Sequence, residues 1–134
     1  MIENDTATSD VFATDTCRPR LALIGPVLPY RGGIAQYTSQ LHRALARKCT
    51  LRTISYRRQY PALLYPGKSD REPGHESFRE PGVEYVLDSL NPLTWRRAVR
   101  SIAANGCDLA VIDWWTLFWA PAIALMARGL RRRG

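Results

Sequence analysis

The residues best suited to bind an anion come shortly after the first apolar run of the sequence. Residues 21–25 form that run, and Arg31, Gly32 and Gly33 follow where a helical pattern begins. Glycines at a helix start let the backbone approach a phosphate, to which the first N–H groups of the helix donate hydrogen bonds. Arg31 adds a positive charge. The pattern indicates a phosphate-binding loop, with a ligand-free tight turn as the alternative, since neither GxGxxG nor a P-loop motif is present.

A second group of residues, at the end of the last apolar run, suits a sugar or a lipid. Asp113 closes the run 109–113, and Trp114 and Trp115 follow directly. A carboxylate can accept hydrogen bonds from sugar hydroxyls, and an indole ring can stack on a sugar or lie against a lipid. Two structural roles stay open. Asp113 could instead cap the following helix, and the tryptophans, including Trp119, could belong to the core.

The segments that carry these residues alternate between strand and helix. The predicted strands are 21–25, 51–56, 83–87 and 109–113. The first and fourth are continuously apolar, whereas the second and third alternate, so we expect the first and fourth in the middle of a parallel sheet and the others toward one edge. This pattern predicts an α/β fold, a Rossmann-like parallel sheet with flanking helices. A full sheet of this kind has about six strands, so this one is expected to be incomplete.

Three helices are predicted between and after these strands. The first is expected to turn an apolar stripe toward the sheet and His42 toward solvent. The stripe consists of Ile34, Tyr37, Thr38, Leu41 and Leu45. The second starts at Asn91-Pro92, with asparagine as N-cap, and ends at Asn105-Gly106. Pro121 predicts that the third either starts near Trp119 or is kinked. The stretch 57–82, rich in proline and glycine, is predicted to be a long loop.

Charge limits the partners and separates two regions of the chain. The formal net charge is +7, and the first 17 residues contain four acids and no Lys or Arg, so the rest is more basic still. A basic body suits a partner that carries phosphate, such as a nucleotide-sugar, a nucleic acid or an anionic membrane. Residues 1–18 are acidic and polar and lack the basic start and apolar run of a signal peptide. We expect them to be a disordered acidic leader. Residues 19–134 are expected to form one domain.

Cysteine and histidine do not indicate a metal centre. The three cysteines, Cys17, Cys49 and Cys107, lie far apart, without a CxxC motif or a histidine at ligand spacing. We therefore expect reduced thiols in a cytosolic protein, with no metal site and no cofactor. His42 and His75 have no evident partner and are predicted to be surface residues.

Four segments together resemble the N-terminal domain of a family 4 glycosyltransferase, a two-domain enzyme of the GT-B fold. In "LALIGPVLPYRGGIAQYTSQLHRAL" a strand is followed by a proline-bearing loop, a Gly-Gly pair and a helix. The segments "YRRQYPALLYPGKS", "LDSLNPLTW" and "DLAVIDWWTLFWAPAIALMAR" resemble the same domain in one bacterial branch. The resemblance covers residues 20–128.

The resemblance implies transfer of a sugar from a nucleotide-sugar donor to a glycan or a lipid-linked acceptor. In such enzymes the glycine loop approaches the donor diphosphate, a role that would fall to Arg31, Gly32 and Gly33. Their N-terminal domain mostly holds the acceptor. The candidate acceptor residues here are Tyr37, Asp113, Trp114 and Trp115. A cytoplasmic location, with peripheral contact at the inner face of the membrane, is expected.

The resemblance also implies that part of the enzyme lies outside this sequence. The C-terminal domain of such enzymes carries a paired-glutamate segment and the nucleotide pocket, and neither has a counterpart in these 134 residues. We therefore expect an incomplete N-terminal half of a GT-B fold, inactive by itself, and assign no catalytic residue.

Two functions of other classes remain as alternatives. Residues 109–127 contain one charged residue, Asp113, and precede "RGLRRRG", a pattern that resembles a membrane-spanning helix with a basic cytoplasmic flank. Asp113 and Pro121 interrupt that run and argue against it. The other alternative is a basic nucleic-acid-binding module. No helix-turn-helix, RNP-like or zinc-finger pattern supports it, so a nucleic-acid partner is not expected.

Overall fold

A computed structural model describes residues 18–64 and 69–133 of the chain. Strands and helices alternate there in the predicted order. The elements are β1 (Arg20–Ile24), α1 (Gly33–Ala46), β2 (Thr50–Arg58), β3 (Val83–Asp88), α2 (Pro92–Ala104), β4 (Leu109–Ile112) and α3 (Ala120–Arg131). Two short 3-10 helices, Ala62–Leu64 and Leu117–Trp119, precede β3 and α3. The predicted leader, apart from Arg18, lies outside the described residues.

The four strands form one parallel sheet in the order β3-β2-β1-β4. The α/β class and the Rossmann-like parallel sheet with flanking helices are therefore confirmed. The central position predicted for the fourth strand is wrong, because β4 pairs with β1 alone and lies at the edge of the described sheet. An apolar run predicts that a strand is covered on both faces, but it does not fix the number of neighbouring strands, and no residue of β4 is fully buried here. Ile24 pairs with both Ile54 and Ile112, so β1 and β4 end side by side, whereas β2 continues to Arg58.

The sheet face under α2 and α3 is closed by apolar and aromatic side chains. Tyr56 of β2 packs on Trp119 with a centroid distance of 4.4 Å, and both are fully buried. The buried cluster around them includes Ile24, Ile54, Leu87, Val99, Ile102 and Met126. Trp119 is thus a core residue, the structural role left open for it above. Burial of such side chains is the main source of stability in a domain of this size.

The sheet face under α1 is closed by polar side chains. His42 is buried, with its Nδ1 2.8 Å from Thr53 Oγ1 and its Nε2 3.0 Å from the carbonyl oxygen of Pro81. The prediction that His42 lies on the surface is therefore wrong, whereas His75 is exposed as expected. The carbonyl can only accept, so Nε2 donates to it, and Nδ1 of the neutral ring accepts from Thr53.

The buried face of α1 also differs from the predicted apolar stripe. Its buried residues are Ala35, Thr38, Ser39 and His42, and of the predicted stripe only Thr38 is among them. Tyr37 is 57% exposed. This side of the helix is buried because its polar side chains find partners there: His42 bonds to Thr53 of β2, and Ser39 Oγ accepts a hydrogen bond from Leu28 N. Hydrophobic periodicity does not register such a polar contact face.

The helix boundaries follow the predicted signals. Asn91 caps α2 by accepting a hydrogen bond from Leu93 N at 3.1 Å. The helix ends before Gly106, which has a φ of 65°. Pro121 stands in the first turn of α3, so the first of the two alternatives for this proline is confirmed. Proline is tolerated there because those N–H groups have no partner within the helix.

The segment considered as a membrane-spanning helix is divided among β4, a loop, a 3-10 helix and α3. Within the described ranges, no helix is both long and apolar enough to cross a membrane. The loop predicted at 57–82 contains one 3-10 turn and an isolated bridge between Tyr30 and Arg71. Residues 65–68 of that loop lie outside the described residues.

Candidate functional site

The two glycines at the start of α1 have different structural roles. Gly32 is the N-cap and has a φ of 116°, a conformation that side-chain-bearing residues rarely adopt. Gly33 is the first helical residue and is not among the glycines with positive φ. Apart from its chain neighbours and the backbone of α1, a Cβ atom built on either residue would meet no atom of the described residues within 4 Å. The backbone therefore requires glycine at 32, while neither backbone conformation nor packing in the described fold requires it at 33.

The start of α1 presents unpaired backbone donors. Its first i to i−4 hydrogen bond runs from Gln36 N to Gly32 O at 3.3 Å, and the N–H groups before Gln36 have no partner within the helix. Gly32 has no side chain with which to cap them, and the first turn contains no acidic residue. These donors carry the partial positive charge of the helix N-terminus.

The loop that leads to these glycines is held in place by hydrogen bonds. Its backbone N–H groups bond to neighbouring segments on several sides. The bonds are Val27 N to Ser55 Oγ (3.3 Å), Leu28 N to Ser39 Oγ (2.9 Å) and Arg31 N to Asp70 O (2.8 Å). The Tyr30 hydroxyl donates to Tyr56 O at 2.6 Å. Burial, with a contribution from Asp70, raises the pKa of Tyr30 to about 12, so this donor keeps its proton throughout the neutral range.

Arg31 contributes a charge without a protein partner. Its side chain is exposed and forms no hydrogen bond or ion pair with any residue in 18–64 or 69–133. Other arginines of the same sheet edge are engaged, as Arg58 is with Asp88 at 2.7 Å. Arg31, Gly32 and Gly33 are contiguous, so this arginine directly precedes the N-terminus of α1.

Asp113 lies beside this loop, at the end of β4. Its N–H donates to Ile24 O at 2.9 Å, and Thr38 Oγ1 of α1 donates to its Oδ2 at 2.6 Å. A Cβ on Gly25 would lie 2.6 Å from the same Oδ2, so glycine at 25 makes room for the carboxylate. Asp113 Oδ1 forms no hydrogen bond with the described residues, and it remains available to accept one.

The helix-cap role considered for Asp113 is wrong. Thr116 caps the 3-10 helix Leu117–Trp119, with its side chain accepting from Phe118 N at 3.4 Å. Asp113 binds α1 instead because the sheet register sets the end of β4 beside the end of β1, which α1 covers.

The two candidate tryptophans differ in the exposure of their rings. Trp114 is 61% exposed, and its Nε1 donates to Thr116 O at 2.8 Å, which leaves the ring open to solvent. Trp115 is half-buried, donates to the Tyr60 hydroxyl at 3.0 Å and meets Tyr56 edge-on with centroids 5.7 Å apart. Trp115 therefore joins two loops, and Trp114 is the ring able to stack on a ligand.

The structure adds residues that sequence patterns did not single out. Thr38 and Gly25 fix and accommodate the Asp113 carboxylate, and Tyr60 holds Trp115. Gly25 had a usable signal, because a glycine directly after a buried strand often marks a close approach. Thr38 had none, since it was assigned to an apolar stripe. No group of three or more His, Cys, Asp or Glu in the described parts of the chain could hold a metal ion.

Comparison of the chain with protein-family models, curated proteins and solved structures found no match. The glycosyltransferase resemblance of the sequence motifs therefore remains a hypothesis, and the fold and the site geometry are the grounds on which it can be argued.

Proposed function

We propose that this chain is the acceptor-side, N-terminal domain of a glycosyltransferase of the GT-B type. Its substrates would be a nucleotide-sugar donor and a glycan or lipid-linked acceptor. Under this proposal the protein is cytoplasmic, and the nucleotide pocket belongs to a second domain, as in the family that the motifs resemble. A four-stranded parallel sheet with a glycine loop at its carboxyl edge supports this proposal, because ligands of such sheets bind at that edge.

One observation carries the donor side of the proposal. Gly33 needs neither a positive φ nor the absence of a Cβ for the fold, and the space beside it is open. Because the described fold does not require glycine at 33, we attribute its use there to a ligand that must approach the backbone closely. Any side chain at 33 would extend toward the unpaired N–H groups of α1.

The chemistry of sugar transfer gives these groups a role. The bond between the anomeric carbon and the donor diphosphate breaks and a bond to an acceptor hydroxyl oxygen forms. The hydroxyl proton passes to a base or to the leaving diphosphate, on which negative charge develops. Fixed N–H groups and the Arg31 guanidinium would meet that charge, and preorganised donors of this kind usually give the largest single contribution to catalysis. The hydrogen bonds that hold the loop keep those donors in position before the substrate arrives.

The acceptor side rests on Asp113 and Trp114. Asp113 Oδ2 is held by Thr38, which orients the carboxylate, and its Oδ1 is open to a hydroxyl of the acceptor. Trp114 offers an exposed ring next to it, suited to stacking on a sugar. Tyr37, exposed on α1 one residue before Thr38, is a further candidate contact.

Titration of the isotope-labelled chain with inorganic pyrophosphate tests the donor site. We expect the amide resonances of Gly32, Gly33 and Ile34 to shift with millimolar affinity, because this chain supplies only part of the proposed site. Gly33→Val should abolish those shifts by covering the N–H groups, and Arg31→Gln should weaken binding about tenfold or more by removing a charge-assisted contact.

Gln36→Val is the matched control, since it adds valine to an exposed position of the same helix turn. It should bind pyrophosphate as the unmodified chain does. Equal binding by the Gly33→Val and Gln36→Val variants, or shifts confined to residues far from α1, would refute the phosphate loop.

A further inference from the structure

Helices α2 and α3 form a groove of about 340 Å³ that is lined by arginines. We call it the arginine groove. Its arginines are Arg96, Arg100, Arg128, Arg132 and Arg133. Among the described residues, no acidic residue lines the groove, and α2 and α3 contain none. The helices approach closely at Gly129, where an added Cβ would lie 3.0 Å from Val99 Cγ1.

These arginines are not used by the fold. All five are exposed, and none of their guanidinium groups forms a hydrogen bond or an ion pair with a described residue. Arg128 suits the last turn of α3, where positive charge is favourable. Arg96 and Arg100 lie in the middle of α2, where positive charge gains no such stabilisation from the helix C-terminus. Like charges gathered in one groove repel each other, so an anionic partner that binds there would reduce this electrostatic repulsion.

Apolar side chains accompany the charges. Leu125 lines the groove and is 55% exposed, and Leu93 on the first turn of α2 is 58% exposed. Trp95, Val99 and Met126 line the groove as well. Contacts with nucleic-acid phosphates are made by charged and polar groups and do not use exposed leucines. A bilayer interface uses both kinds of side chain, because leucines enter the acyl boundary while arginine stems lie along it and their charged ends meet headgroups.

We propose that the arginine groove, together with Leu93 and Leu125, docks this protein on a bilayer that bears anionic headgroups. Each arginine near such a surface adds to the attraction, and the apolar residues add a contribution that salt does not screen. This surface lies on α2 and α3, apart from the loops that form the candidate site. The proposal does not depend on transferase activity, because membrane binding is measured without it.

Co-sedimentation of the full chain with vesicles tests the docking surface. We expect binding to phosphatidylcholine vesicles that contain one quarter phosphatidylglycerol, and little binding to phosphatidylcholine alone. Reversal of two groove charges, Arg100→Glu with Arg128→Glu, should weaken binding about tenfold or more. Leu125→Ser should weaken it about fivefold without changing the charge. All five positions used here and in the control are exposed arginine, lysine or leucine residues, so melting temperatures should shift little, most for Arg128→Glu, which puts a negative charge in the last turn of α3.

Arg47→Glu with Lys48→Glu is the matched control, because it makes the same charge change at the end of α1, on the other face of the sheet. It should weaken vesicle binding threefold or less. The proposal is overturned if both double variants lose binding equally, or if anionic vesicles are not bound at low ionic strength. Binding to random duplex DNA that is as tight as vesicle binding, and unaffected by Leu125→Ser, would assign the groove to nucleic acid instead.

Discussion

The sheet face under α1 and the face under α2 and α3 are closed in different ways. Under α1, buried hydroxyl and imidazole groups pair with one another, as His42 does with Thr53 and Ser39 with the backbone of Leu28. Under α2 and α3, rings and alkyl groups pack, and two buried polar atoms, the Tyr56 hydroxyl and Trp119 Nε1, have no hydrogen-bond partner in the described chain. One face relies on directional bonds and the other on burial.

This difference matches the location of the candidate site. Hydrogen bonds have preferred distances and angles, so they fix the loop before α1 and the Asp113 carboxylate in one position. Hydrophobic burial is non-directional and contributes more free energy per residue. We infer that the α2 and α3 face mainly stabilises the domain, whereas the α1 face mainly positions the ligand-binding groups. Three comparisons between variants test this division.

The largest effect is expected from Trp119→Ala on the apolar face. Trp119 is fully buried against Tyr56, and removal of such a ring costs about 3–5 kcal/mol of unfolding free energy. Urea denaturation measures the loss. Trp114→Ala, at an exposed ring, is the control and should change stability by less than about 0.5 kcal/mol. If Trp119→Ala does not fold, Trp119→Leu serves in its place, and a cost no larger than that of Trp114→Ala would break the comparison.

A smaller effect is expected from Gly25→Ala, which acts where α1 meets the end of β4. The new Cβ would lie 2.6 Å from Asp113 Oδ2, and such overpacking typically costs about 1–3 kcal/mol. It should also displace the carboxylate from Thr38, seen as a shift of the Thr38 amide resonance. Gly33→Ala is the matched control, because its Cβ meets open space and should leave the melting temperature unchanged or raised. Equal melting temperatures for the two variants would contradict the packing described at Gly25.

The smallest effects are expected when each of two hydroxyl groups of β2 is removed. These hydroxyl groups face opposite sides of the sheet. Thr53→Val removes the hydroxyl that bonds His42 Nδ1 and should cost about 1.5 kcal/mol, since the ring nitrogen is left unpaired in a buried site. Tyr56→Phe removes a buried hydroxyl without a partner and should be neutral or stabilising. Denaturation midpoints of the two variants, each compared with that of the unmodified chain, measure these changes in stability. A destabilising Tyr56→Phe beside a neutral Thr53→Val would reverse our assignment of the faces.

Much of the candidate site could be located from the sequence, because a glycine loop and strand ends are local features. The sequence predicted Arg31, Gly32 and Gly33 at the start of a helix, and Asp113 at the end of a strand, and both locations are confirmed. The sequence could not show that the two glycines have different roles. Their roles differ through the φ of Gly32 and the open space at Gly33, and neither quantity follows from residue type.

The sequence by itself determined the order of strands and helices and the caps of α2 and α3, because apolar runs, Asn91 and Pro121 act within a few residues of their own position. Only the tertiary structure decided which side of α1 is buried, that β4 lies at the described edge, and that Asp113 binds Thr38. Thr38 and Asp113 are 75 residues apart in the chain. The parallel register of β1 with β4, together with α1 crossing over β1, brings them into contact, and no local pattern contains that information.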